Sequence, residues 1–350
     1  MKPQLKQLDQ QVMVITGATS GIGLTTTRAA VKKGAKVVLA ARSEEALQTL
    51  TNEINNAGGE AAYVVADVSR LHDVQAIARK AEAEFGGFDT WVNNAGVSIY
   101  GRILDVSDDD NRRLFETNFW GVINGSRVAV EHFRKQGKRG TALINIGSAL
   151  SDRAIPLQGM YCASKHAVKG FTDSLRMELE EEGLPISVTL IKPAAIDTPY
   201  KNHAKNYLAV EPENPPPVYA PEVVAEAILY AAENPIRDVF AGGGGKFFSL
   251  LGNYAPGLVD KVMEWTLFKI QQTDQPKRNH EDNGLHKPTQ DLQERGGYSG
   301  HVAESSVYTK ASLHPAATVL LSTGVVIALA SVLRPAMTTR SRRGIAKLWR

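Results

Sequence analysis

The sequence predicts an α/β fold: a doubly wound, parallel, seven-stranded sheet of the Rossmann-like kind in a single domain, followed by a C-terminal extension. Three observations carry this. Between Gln11 and Gly245, seven short β-rich runs, each nearly all apolar, alternate with helix-length segments; strands apolar on both faces belong to a parallel sheet covered by helices on both sides. The first run passes through a glycine cluster into a helix, the arrangement that offers backbone N–H groups to a phosphate. After Gly245 the alternation stops.

The strands are read at 12–16 (VMVIT), 36–40 (KVVLA), 61–67 (AAYVVAD), 89–94 (DTWVNN), 142–148 (ALINIGS), 186–192 (ISVTLIK) and 238–242 (DVFAG). Open α/β sheets bind ligands at the C-terminal ends of their strands, so the residues just after each run are site candidates. VMVIT leads into Gly17-x-x-x-Gly21-x-Gly23 and then a helix over 24–33. Glycine lets the chain turn sharply and approach a diphosphate, which makes Gly17, Thr19, Ser20, Gly21, Ile22 and Gly23 cofactor-binding candidates. The spacing is not G-x-G-x-x-G, and three glycines alone also describe a plain strand-to-helix turn. Their position at the head of the first βα unit favours the cofactor. About twenty residues on, KVVLA ends in Ala40-Ala41-Arg42-Ser43, without the acidic residue that accepts bonds from an NAD ribose. Arg42 instead suits a 2′-phosphate, so NADP is expected over NAD.

Tyr161 and Lys165 stand four apart in QGMYCASKHAVKGFTDSLRMELEEEG, a strongly helical segment whose core face carries Val168, Phe171, Leu175 and Leu179. Residues i and i+4 share a helix face, so phenol and ammonium reach one site. A nearby lysine cation stabilises phenolate and is expected to draw the tyrosine pKa down from about 10, as acid/base chemistry requires. Tyr-x-x-x-Lys alone describes many half-exposed helices. Its neighbours decide.

Thr16-Gly17-x-x-x-Gly21-x-Gly23, Asn93-Asn94-Ala95-Gly96, Asn118, Ser148 and Tyr161-x-x-x-Lys165 occur in the order and spacing of the short-chain dehydrogenase/reductase family. The chain resembles that family over residues 10–245, with an added C-terminal extension that carries a hydrophobic segment. The resemblance implies an NAD(P)-dependent enzyme acting on CH–OH groups, with Tyr161 as general acid/base. It implies that Lys165 binds the nicotinamide ribose, that Ser148 polarises the substrate oxygen and that Asn118 holds a water in the proton relay. Tyr161 and Lys165 thus also touch the cofactor. Asp67 and Val68 fall where the family holds adenine, Asn94 and Gly96 where it supports the cofactor, and Thr198 where it contacts the carboxamide or diphosphate. One departure stands out: the family's Pro-Gly is here Pro193-Ala194, which puts the geometry of the nicotinamide-side loop in doubt. Residues 197–220 occupy the place of the family's substrate-covering loop. The family's dimers and tetramers imply a homo-oligomer.

A net charge of +3 and 22% charged residues give no sign of nucleic-acid binding. The single Cys162 excludes an intramolecular disulfide and reads as a packed thiol. The eight histidines show no metal-ligand spacing, and no metal is expected. Gly242–Gly245 lacks the Lys-Ser/Thr of a P-loop and reads as an end-of-sheet turn.

The domain reading is 1–245 for dinucleotide binding and catalysis, 246–312 for a helical and linker extension, and 313–350 for a hydrophobic segment with a basic tail. Residues 246–270 have amphipathic helical character, whereas 271–312 are polar and read as a linker or poorly ordered segment. Ala316–Leu333 is uncharged throughout; as a helix it would rise about 27 Å, just under a bilayer's hydrocarbon core. Arg334, Arg340, Arg342, Arg343, Lys347 and Arg350 follow it. A cytoplasmic catalytic domain with membrane association through a transmembrane or embedded helix is expected, although the basic tail conflicts with a simple span. Such a tail favours a hydrophobic carbonyl or alcohol as the small-molecule substrate. Two other functions compete: a catalytically weak, cofactor-binding regulatory protein of the same fold, and a nucleotide-sugar epimerase of the related extended fold. The intact Asn118, Ser148, Tyr161 and Lys165 argue against the first. The lack of a large C-terminal α/β domain argues against the second.

Overall fold

The computed structural model describes residues 3–137, 140–278, 283–289, 292–314 and 318. Seven strands form one sheet: β1 (Val12–Thr16), β2 (Lys36–Ala41), β3 (Ala61–Val65), β4 (Thr90–Asn93), β5 (Thr141–Ile146), β6 (Ile186–Pro193) and β7 (Asp238–Ala241). All neighbours are parallel, in the order β7-β6-β5-β4-β1-β2-β3. The seven expected strands are all present, most of them shortened or extended by a residue or two. The doubly wound parallel sheet is thus the fold observed. The order reverses between β1 and β4, and that switch point opens a crevice at the strand ends.

The flanking helices are α1 (Gly21–Lys32), α2 (Glu44–Asn56), α3 (Leu71–Phe85), α4 (Asp108–Phe115), α5 (Gly121–Gln136), α6 (Gly159–Glu181), the single turn α7 (Tyr200–His203) and α8 (Pro221–Glu233). Helix α1 packs on α8, and α3 on α5. Central strands are sealed on both faces: Val14, Trp91, Leu143, Ile144 and Leu190 are all 0% exposed. Each such aliphatic side chain contributes roughly 2 kcal/mol by leaving water. A polar tie runs through this core. Trp91 Nε1 donates to Asn93 Oδ1 (2.7 Å), Asn93 Nδ2 to Asn145 Oδ1 (2.8 Å) and Asn145 Nδ2 to Thr172 Oγ1 (3.0 Å). It joins β4, β5 and α6, the elements that carry the site.

Two expectations need correction, and a third, the helical stretch over 246–270, is met. Gly243–Gly245 form the first turn of helix α9 (Gly243–Tyr254), with Gly242 alone, at φ +105°, making the turn after β7. The amphipathic stretch after it is two helices, α9 and α10 (Pro256–Ile270). The polar segment from 271 is not a free linker. Gln272–Pro276 pairs antiparallel with Val210–Pro212, and Val302–Ala303 pairs parallel with Val218–Tyr219, itself beside Ala195–Ile196. Backbone pairing of this kind needs no apolar side-chain pattern, so composition hid it.

The compact unit therefore runs through Thr309, and residues from Lys310 form a second. Nearly all of Ala316–Leu333 and the whole basic tail lie outside the described residues. Among the described residues, no helix is long and apolar enough to cross a membrane.

Candidate active site

The glycine loop closes the end of β1. Gly17 has φ +64°, a left-handed conformation, and a Cβ there would meet Ala95 Cα at 2.9 Å; a Cβ on Gly23 would meet the Gly17 carbonyl at 2.0 Å. Only glycine permits this closeness. Thr16 Oγ1 accepts bonds from the N–H groups of Asn94 (3.0 Å) and Ala95 (3.1 Å), and Asn94 Nδ2 donates to the Thr16 and Gly17 carbonyls. The ends of β1 and β4 are thereby locked together on either side of the switch point.

A cleft opens there. Gly17, Thr19, Ser20, Gly21, Ile22, Arg42, Asp67, Val68, Asn94, Gly96 and Thr198 line it. Of the cofactor candidates outside the catalytic set, only Gly23 is absent from the lining, because it packs against the loop. The start of the twelve-residue helix α1 faces this cleft, and Ser20 offers its N-terminus no side-chain cap. A helix start of this kind suits an anion. Thr117 Oγ1 lies buried on the wall without a protein partner. The donors and the N-terminus without a side-chain cap fit a dinucleotide.

At the inner end, a turn of π-helix (Glu116–Trp120) presents Asn118. Its side chain accepts from Val97 N–H (2.8 Å) and donates to the Val97 carbonyl (2.9 Å) and to Ser164 Oγ (3.3 Å). Lys165, 5% exposed, donates to the Ile146 carbonyl at 2.9 Å, so one of its three N–H donors is committed. A Cβ built on Gly96 would lie 3.5 Å from Asn118 Oδ1 and 3.9 Å from Lys165 Nζ, so both side chains converge on one point of the cleft. Ser148 caps the short turn Ala149–Ser151 and accepts from Leu150 N–H (3.0 Å). Its hydroxyl and that of Tyr200 lie near the Tyr161 hydroxyl.

Burial dominates the electrostatics here. It pushes the Tyr161 hydroxyl up to about 12, against the opposing effect of the Tyr200 and Ser148 hydroxyls, and presses Lys165 down to about 8. The lysine-lowered phenol expected from sequence is therefore not what this arrangement gives. Lys165 Nζ stands 5.7 Å from the Tyr161 ring centroid and spends its bond on β5 instead. Cys162 is buried as expected, and burial pushes its thiol up to about 11.

At the outer end, Asp67 accepts from Arg113 (2.5 Å) and from Ser69 Oγ (2.7 Å). Although burial alone would raise it, these bonds hold its carboxyl below the usual range. Burial and the neighbouring Arg113 lower the Arg42 pKa. The Arg42 guanidinium donates to the carbonyls of Gly284 and Leu285. The departure at Pro193-Ala194 causes no strain: among the described residues only Leu157, at φ +66°, is a non-glycine with positive φ.

Sequence reasoning missed Tyr200 and its support. The Tyr200 ring meets Tyr161 edge-on at 5.5 Å, and its hydroxyl donates to Gln158 Oε1 (3.0 Å). Gln158 in turn donates to Gln271 Oε1 (2.9 Å). The one signal was a tyrosine directly after Thr198-Pro199 in the covering loop. Beside Tyr161, Ile99, Ile103, Val106, Leu157 and Met160 border a small hollow together with Asn111.

A family model for short chain dehydrogenases matches residues 11–207. The chain belongs to that family. This short-chain dehydrogenase is 47% identical to the uncharacterized oxidoreductase YxnA of Bacillus subtilis over 326 residues, 93% of this chain and 91% of that one. It is 34% identical to the dehydrogenase/reductase SDR family member 7B of Bos taurus over 265 residues, 72% of this chain and 80% of the other. Among solved structures, it resembles a Burkholderia phymatum short-chain dehydrogenase/reductase in complex with NAD, at TM-score 0.65 and 28% identity, over 73% of this chain and 96% of that one. It also resembles an alcohol dehydrogenase of Thermococcus sibiricus complexed with 5-hydroxy-NADP, at TM-score 0.57 and 25% identity, over 66% and 95% of the two chains. The protein is an oxidoreductase of this family, whose fold holds nicotinamide cofactors.

Proposed function

We propose that the protein transfers a hydride between NADP(H) and a carbonyl or alcohol group of a hydrophobic substrate, with Tyr161 as general acid/base. The observation that carries this reading is the meeting of Asn118, Ser148, Tyr161 and Lys165 beside Gly96 of the cleft. When bound, the nicotinamide supplies or accepts the hydride. The protein's residues handle the proton. In reduction, the Tyr161 hydroxyl gives its proton to the substrate oxygen as the carbon becomes an alcohol; in oxidation it takes that proton back. Ser148 orients the same oxygen. Lys165 has two donors left for ribose hydroxyls, and its charge favours phenolate when Tyr161 has given up its proton. Asn118, fixed by Val97, is suited to hold a water that returns the proton from solvent.

Preference for NADP is supported at the outer end. Arg42 and Arg113 lie close enough to repel, with Asp67 as the opposing carboxylate. A 2′-phosphate would relieve that repulsion through charge-assisted bonds. Arg42 has used only two of its five N–H donors on Gly284 and Leu285.

Two finer readings accompany this one. A homo-oligomer is inferred by analogy with the family. Membrane association is inferred from the uncharged run 316–333 and from apolar stripes on α9 (Phe247, Leu251, Tyr254) and α10 (Leu258, Val262, Trp265), all of them exposed.

The experiment is a panel of apolar ketones, aldehydes and alcohols, followed by NADPH absorbance and repeated with NADH. Turnover with NADPH favoured is the expected result. NADH preferred throughout would overturn the part given to Arg42, and no turnover on any compound would favour a cofactor-binding regulatory protein.

A further inference from the structure

A polar segment with no apolar pattern still has to satisfy its backbone groups when it lies against a folded surface. Residues 283–289 and 292–298 do so around the rim of the cleft, with anchors at three places. At the outer end, Arg42 donates to the Gly284 and Leu285 carbonyls, and Arg113 Nε donates to Leu285 at 3.2 Å. The Leu285 side chain is 0% exposed, packed with Ile99 and Leu114. At the glycine loop, Gly21 N–H donates to the Gln293 carbonyl (2.8 Å), while the Glu294 carboxylate takes Thr25 Oγ1 (3.2 Å) and Arg28 (2.6 Å). At the inner end, the N–H groups of Gly296 (3.1 Å) and Tyr298 (2.9 Å) donate to Asp197 Oδ1, next to Thr198.

Gly284, Pro288 and Thr289 line the cleft together with Gly21, Arg42 and Asp67, while residues 292–298 bond to the glycine loop and to Asp197 beside it. Only one of the free N–H groups that a helix start offers is spent on Gln293; Ile22 still faces the cleft.

We propose that residues 283–289 and 292–298 are a dinucleotide-binding element: a clasp that roofs the cofactor from its adenosine end to its diphosphate and must open before the cofactor leaves. It lies beyond residue 207, where the match to the family model ends. The clasp rests on the dinucleotide reading above. Arg113 serves it as a positioning residue, holding Leu285 while pairing with Asp67.

The test is the rate of NADPH release from the full-length protein, followed by fluorescence after mixing with excess unlabelled NADP. Gly296→Val is the strong variant, since a Cβ there would meet the Thr198 carbonyl at 2.1 Å and force the segment away. Release should quicken by about tenfold or more, a change of one decade in affinity if association is unaltered. Glu294→Ala is the mild variant, which removes the bonds to Thr25 and Arg28 and should quicken release by about threefold. Should Gly296→Val fail to fold, Glu294→Ala decides. Hydrogen exchange in peptides covering 292–298 should also slow when NADPH is added to the wild type.

Unchanged release in both variants, with NADPH still bound, would overturn the clasp alone. Tighter binding in the variants would overturn it as well, showing a segment that competes with the cofactor. A wild type that binds neither NADPH nor NADH would overturn the dinucleotide reading and the clasp together.

Discussion

Lys165 sits in a protein wall with one bond to β5, and burial presses its ammonium from 10.5 to about 8. The sign of the consequence differs for stability and for catalysis. Between about pH 8 and about pH 10.5 the unfolded lysine keeps a proton that the folded one has lost, so this group makes folding more favourable as pH rises through that window. A reaction that needs the ammonium loses it over the same window. Carbonyl reduction should therefore fall as pH climbs past about 8, tending toward about tenfold per unit, while Tyr161 keeps its proton to about 12. A pH–rate profile measured with saturating cofactor checks this. A profile flat to pH 10, with Lys165→Met as active as the wild type, would count against the role given to Lys165. That Tyr161, Lys165, Ser148 and Asn118 lie near one another was legible because their spacing is tied to elements that are themselves legible. The protonation balance was not, because it depends on burial, which no spacing reveals.

At the scale of elements, the strands were read well for a physical reason: a parallel strand sealed on both faces has to be apolar at nearly every position, as ALINIGS and ISVTLIK are. What fixes them relative to one another was invisible. Asn93 and Asn145 look like polar intrusions in two apolar runs, yet each is buried and bonded across β4, β5 and α6. Removing one partner strands the other without water. Asn145→Ala should cost about 2 kcal/mol, measured by urea unfolding, and should lower turnover by shifting β5, whose Ile146 carbonyl holds Lys165. A loss below about 0.5 kcal/mol, the range of an ordinary surface change, would contradict this view of the network. The glycine run after β7 shows the reverse limit: nothing in four glycines distinguishes a turn from the first turn of α9.

At the scale of the whole molecule, every cofactor and catalytic candidate lies at one edge of the sheet, as the switch in strand order requires. That half of the account was available from residues 10–245 alone. The return of the chain across the same edge was not. Apart from the Glu294 carboxylate and the buried Leu285 side chain, its contacts are made by backbone groups of Gly284, Leu285, Gln293, Gly296 and Tyr298, which leave no side-chain signature, and its Gln-, Gly- and Asn-rich composition resembles that of a linker. The membrane association proposed above is likewise a matter of the full chain. Carbonate extraction of membranes from cells making the protein should leave it in the pellet, whereas full release into the supernatant would remove that reading.

The central claim, hydride transfer with Tyr161 as the proton donor, is tested most directly by Tyr161→Phe, assayed beside the wild type on the best substrate of the panel. NADPH binding should persist, since the glycine loop and the outer end of the cleft are untouched. Turnover should fall by about 10² to 10⁴, the usual share of a positioned acid/base group. A Tyr161→Phe enzyme that binds NADPH and reduces the substrate at the wild-type rate would contradict the account.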